Sequence, residues 1–227
     1  FPFSVFLLFS GFMLAQQSAL VLSAISRPNA SFPSNSIGSF QNQARSIELL
    51  VLEDIPDLSL YGFATSNSIY AGDTSNGAYQ FPSGSFQAGD YIYITKNLDA
   101  FNSVHGFSAN FEASTLNFNG GTSSGSYCVV EILYSSSWDD VEPMTIDFWA
   151  ANSPDYVING GWAKRLNCTG PNIGPDPWVY AEGQTEGRVF DFETGDLMPS
   201  YQNFNVSEWI YVSYSVDPID FGTYQFC

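Results

Sequence analysis

The chain has 227 residues, 44% hydrophobic and 17% aromatic, with 23 Asp and Glu against six Lys and Arg, a formal net charge of −17. This composition excludes nucleic acid as a partner, because phosphate neutralisation needs basic clusters and the only adjacent basic pair is Lys164-Arg165. The length allows an N-terminal segment plus one globular domain, and the acidity is that of a solvated, soluble surface.

Residues 1 to 25 contain no charge, and the first charged residue is Arg27. Twenty or more mostly apolar residues are enough to cross a bilayer as a helix. Leu, Met, Ala and Gln are good helix formers, β-branched residues are few, and Pro2 stands where a helix start tolerates proline, so a helix is predicted over 1–26. Its polar residues Ser4, Ser10, Gln16, Gln17, Ser18 and Ser23 do not gather into one stripe. A helix apolar all round is buried all round, in a membrane or among other helices. The run lacks the basic n-region of a secretory signal, and it begins at Phe1, so it is expected to be a mature N-terminus.

A Phe1 start, a long uncharged helix and a following β-rich domain with Ser, Thr and Asn in its loops resemble the type IV pilins, the archaeal kind in particular. Val5 stands where bacterial pilins typically carry Glu, which favours the archaeal branch. The resemblance implies a helix that resides transiently in the membrane and then packs with copies of itself in a helical filament. The core-packing positions it implies are Phe1, Phe3, Phe6, Leu7, Phe9, Phe12, Met13, Leu20 and Leu22.

Beyond the helix, Arg27-Pro28 and the breaker-rich stretch to Gly38 predict a linker over 27–43, with a head domain over 44–227. Strands are predicted at Arg45–Glu53, Gly89–Thr95 and Val104–Phe118, the last with Phe107, Ala109, Phe111 and Ala113 on one face. Asn119-Gly120-Gly121 then turns the chain into Ser126–Tyr134. Further strands are expected at Met144–Trp149, around the Asn159-Gly160 turn, at Arg188–Phe192, at Ser207–Val216 and at Phe221–Phe226, with no second helix. The fold class that follows is α+β: a long N-terminal apolar helix and a mainly antiparallel β-sandwich head, Ig-like or jelly-roll-like.

Most aromatic residues are expected in the core; the alternative use of the five Trp (Trp138, Trp149, Trp162, Trp178 and Trp209) is a sugar-stacking surface. Cys128, Cys168 and Cys227 allow one disulfide in three pairings, and no CxxC spacing supports zinc. Asn29, Asn167 and Asn205 open N-glycosylation sequons.

Signals of catalysis fail. Gly121-Thr-Ser-Ser-Gly125 matches a nucleophile elbow, but a strand follows it and the only histidine, His105, precedes it. His105 stands alone in a predicted strand. Asp139-Asp140 with Glu142, and Asp217 with Asp220, read as solvated loop carboxylates, and Asp73–Gly77 only approximates a calcium loop. No catalytic, cofactor or metal site is expected. The predicted function is a structural subunit of an extracellular, cell-surface filament, with adhesion to surface glycans or host cells as its use. Two alternatives are a filament joined by donor-strand exchange of the N-terminal segment, and a membrane-anchored β-sandwich lectin or carbohydrate-active protein.

Overall fold

The computed structural model describes residues 19–28, 44–66, 78–118, 128–140, 143–151, 160–171, 206–212 and 219–227. The strands are β1 (Leu20–Ser26), β2 (Ser46–Val51), β3 (Tyr61–Ser66), β4 (Tyr79–Gln80), β5 (Tyr91–Thr95), β6 (Phe111–Glu112), β7 (Cys128–Tyr134), β8 (Met144–Ala151), β9 (Trp162–Arg165) and β10 (Trp209–Val212). Among the described residues a single α-helix, α1 (Leu98–His105), lies between β5 and β6. Six strands form one sheet in the order β10-β9-β1-β2-β5-β6, and four form a second in the order β4-β3-β7-β8. All pairings are antiparallel except β5 with β6.

The two sheets share one apolar core. Leu20 and Leu22 of β1, Ile47 and Leu49 of β2, and Ile92 and Ile94 of β5 meet Phe63 of β3, Val130 and Ile132 of β7 and Trp149 of β8. Phe63, Tyr79 and Phe81 pack ring against ring at 5.3 to 6.0 Å between centroids, supplying the bulk that aliphatic side chains lack here.

The expected long helix is corrected by β1. Leu20–Ser26, assigned by sequence to the helix over 1–26, is an extended strand hydrogen-bonded to β2 on one side and to β9 on the other. All seven residues are buried. A strand covered on both faces reads as a continuous apolar run, and periodicity cannot separate such a run from a buried helix. The helix propensity of Leu and Ala amounts to tenths of a kcal/mol per residue, less than two ladders and two buried faces contribute. Residues 1–18 lie outside the described residues. Among the described residues the fold is therefore two sheets and one short α-helix, and no helix is long and apolar enough to cross a membrane.

Helix α1 overturns a second expectation, that of a strand from Val104 and no further helix. Asn97 caps its start, its Oδ1 accepting from the Ala100 N–H at 2.9 Å, and Gly106 ends it at φ 78°. Only Phe111–Glu112 of the predicted Val104–Phe118 strand is extended into a ladder. The predicted strand Phe221–Phe226 is instead part of an irregular segment, residues 219–227, which we call the strap.

Candidate functional site

The strap crosses the outer face of the six-stranded sheet, and Ser23, Glu48 and Lys164 lie beneath it. Outward-facing Val21 and Leu50 pack with Tyr224 of the strap, joined by Leu52 and Tyr91. Tyr91 donates its hydroxyl to the Tyr224 carbonyl, and the Tyr224 hydroxyl donates to the Thr169 carbonyl. Lys164 of β9 donates to the Asp220 carbonyl at 3.2 Å and to Thr223 Oγ1. Cys168 and Cys227 are joined at disulfide distance, with Cα atoms 4.8 Å apart, pinning the strap beside β9.

Glu48 of β2 stands in the middle of this face and is fully buried. Its carboxylate accepts from Ser23 Oγ at 2.7 Å and from the Gly222 N–H. Gly222 takes φ 73°, a left-handed conformation open to glycine, and an added Cβ would meet Tyr93 Oη at 3.1 Å. Burial pushes the Glu48 carboxyl up to about 7, with Asp220 adding to the rise, while the bonds from Ser23 and Gly222 and the charge of Lys164 pull the other way. Ser23, Glu48 and Lys164 include a hydroxyl, a carboxylate and an amine, but Ser23 and Glu48 are both sealed from solvent, so the group can hold the strap and take up a proton without reaching a substrate.

At one end of the strap lies an aromatic cluster. Phe221 packs on Phe101 and Tyr93 at 5.9 and 5.6 Å, and His105 sits 4.5 Å from Phe101 and 4.9 Å from Phe221. His105 Nε2 is buried with no hydrogen-bond partner, and burial pushes the imidazole pKa down to about 4. An imidazole held neutral among rings is a packing group. It is not placed to act as a base.

A second polar cluster ties the sheets together. Arg165 of β9 and Asp147 of β8 are both buried and form a bidentate pair. Glu208 flanks the guanidinium at 3.8 Å, and the ring of Trp209 lies 4.7 Å from it. Lys164-Arg165, the basic pair of the sequence, is thus split between the strap and the interior and makes no basic surface.

Of the filament-core positions, Phe1, Phe3, Phe6, Leu7, Phe9, Phe12 and Met13 lie outside the described residues. Leu20 and Leu22 are fully buried in their own domain's core. Asn29 and Asn205 also lie outside, whereas Asn167 is exposed on the turn after β9. Cys128 lies in β7 opposite Ala151. The Gly121–Gly125 string and Asp73–Gly77 lie outside, as do Glu142 and Asp217; Asp139, Asp140 and Asp220 are exposed. Trp149 and Trp209 are core residues and Trp138 packs over Gly62, so these three do not form a sugar-stacking surface. Among the described residues no group of three or more His, Cys, Asp or Glu side chains is placed to hold a metal ion.

Sequence reasoning missed Glu48, Asp147 and the use of Arg165. The available signal was a charge in the middle of an apolar strand, as in Ile47-Glu48-Leu49 and Ile146-Asp147-Phe148. No protein-family model, no curated protein and no solved structure matches this chain.

Proposed function

We propose that this chain is an extracellular structural protein, a β-sandwich closed by a disulfide-pinned strap and working in assembly with copies of itself. The observation that carries the reading is the Cys168–Cys227 pair, since disulfides persist in oxidising compartments and are rare in reducing ones. The charge of −17 suits a surface that must stay solvated. The apolar stretch that ends at Ala15, ahead of the sandwich in sequence, carries no charge and offers side chains for packing among copies.

A structural role is favoured over an enzymatic one because reactive side chains among the described residues are consumed in packing. His105 sits among rings, Ser23 and Glu48 hold the strap, and Arg165 and Asp147 join the sheets. With β1 filling the slot between β2 and β9, assembly falls to residues ahead of Ala19 and to the outer surface of the sandwich.

The test is electron microscopy of the native protein from the outside of producing cells, with non-reducing mass analysis of the same material. Filaments with an oxidised Cys168–Cys227 pair support the proposal. A protein retained inside the cell with free thiols sinks the extracellular reading; an exported, oxidised monomer sinks self-assembly alone. Met13→Asp is expected to abolish assembly while leaving the unfolding transition of the sandwich unchanged.

A further inference from the structure

We propose that Asn167 carries an N-linked glycan whose first sugars cover an apolar rim beside the Cys168–Cys227 disulfide, an inference that rests on the extracellular reading above. Asn167-Cys168-Thr169 forms the turn after β9, with Cys168 at φ 65° and Asn167 exposed. The Asn167 Oδ1 accepts from the Gln225 N–H at 2.9 Å, which orients the amide and leaves Nδ2, the atom that takes a sugar, without a hydrogen bond among the described residues.

The surroundings supply an independent observation. Of the large apolar side chains exposed among the described residues, Leu166 (39%), Ile210 (45%) and Phe226 (50%) stand around this turn. Leu166 precedes Asn167 and its N–H bonds Glu208, two residues before Ile210; Phe226 follows Gln225 and lies against Gly170. Exposed apolar groups gathered in one place mark a surface that something covers, and the apolar faces of sugars pack on aromatic rings.

The order of events also fits. Thr169 bonds the Leu166 carbonyl within the turn, and the long-range contacts of the sequon, Cys168 N–H to Gln225, Gln225 N–H to Asn167 and Tyr224 hydroxyl to Thr169, come from the strap. Cys227 is made 59 residues after Cys168, so the sequon lacks the strap's contacts when it first meets a transferase. In the transfer, Asn167 Nδ2 forms a C–N bond to the anomeric carbon of a lipid-pyrophosphate-linked oligosaccharide. The glycosyl–phosphate bond breaks, its electron pair leaves with the pyrophosphate, and Nδ2 gives up one proton.

The test uses the full chain secreted by its producing cells. After reduction, tryptic cleavage at Arg165 and Arg188 yields residues 166–188, in which Asn167 opens the only sequon. This peptide is expected to carry a glycan that a glycan-releasing amidase removes, leaving Asp in place of Asn167, and to lose it in Thr169→Ala. A bare peptide from secreted, oxidised protein overturns the proposal while leaving the extracellular reading intact; intracellular protein with free thiols overturns both. Secreted Asn167→Gln is expected to bind an apolar fluorescent dye more strongly than wild type, and equal binding overturns the covering role.

Discussion

Arg165 and Asp147 meet across the two sheets with Arg165 Nη2 2.8 Å from each carboxylate oxygen, and together they complete the hydrogen bonding of a third residue, Leu22. The β1 register shifts between Leu22 and Ala24, and β9 pairs with β1 only at Ala24–Ser26. Leu22 therefore lies beyond that ladder, and its N–H donates to Asp147 Oδ2 at 2.7 Å while its carbonyl accepts from Arg165 Nε at 2.8 Å. Breaking a buried pair by removing one partner typically costs about 3 to 5 kcal/mol, because the remaining charge is stranded. Arg165→Met and Asp147→Leu are each expected to lower unfolding free energy by about that much in denaturant titrations. The double variant is expected to cost well under the sum.

Glu48 gives stability a definite slope with pH. Its folded pKa, about 7, lies above the ordinary 4.5, so its contribution is fully present below pH 4.5 and is lost as pH rises through about 7. The separation corresponds to an upper bound of about 3 kcal/mol. Glu48→Gln is expected to remove the decline between pH 4.5 and 7 that Glu48 causes. The protection of the Gly222 amide, which donates to this carboxylate, taken relative to its intrinsic exchange rate at each pH, should fall across the same window in wild type and stay level in the variant.

His105 acts in the opposite direction. With its folded pKa pushed down to about 4 from 6.5, the stability of the neutral form is lost as pH falls from 6.5 through 4. The bound is again about 3 kcal/mol before solvent screening. His105→Phe keeps a ring among Phe101, Phe107 and Phe221 and is expected to be more stable than wild type at pH 4 but not at pH 7, as read by thermal unfolding. Between pH 4.5 and 6.5 the Glu48 and His105 slopes offset each other, so each single variant should be more pH-sensitive there than wild type.

Gly62 is a packing position in β3. A Cβ there would stand 2.3 Å from the Tyr79 carbonyl oxygen and 2.6 Å from the Trp138 ring. Gly62→Ala must push β4 and Trp138 away and is expected to destabilise by about 1 to 3 kcal/mol, with a change in tryptophan fluorescence. Gly84→Ala, whose nearest neighbour is 4.0 Å away, serves as the silent control.

How far the sequence could be read depended on whether a signal was local. Tyr91-Ile-Tyr-Ile-Thr95 announces β5 because its alternate residues divide between core and strap, and Met144–Trp149 and Ser126–Tyr134 were legible for their β-branched and aromatic content. Strand β3 was hidden by two small residues, Gly62 and Ala64, and at Gly62 the neighbouring strand and Trp138 leave no room for a side chain. Helix α1 is one eight-residue segment whose clearest marks, Asn97 and Gly106, stand at its ends. The site was less legible still. Glu48 and Gly222 are 174 residues apart, no spacing rule links Arg165 to Asp147, and three cysteines allowed three pairings until the strap brought Cys227 to Cys168.

The position of β1 has a consequence for biogenesis. This strand is the first of the described strands to be synthesised, yet its second neighbour arrives about 140 residues later, when Lys164 comes opposite Ala24. Until then a mostly apolar strand has one free edge, and loop-closure entropy opposes the pairing that would protect it. Such a chain folds slowly for its size and exposes an edge open to pairing with other nascent copies. Its yield in any expression host should therefore depend more on chaperone supply and growth temperature than the stability of the finished domain would suggest.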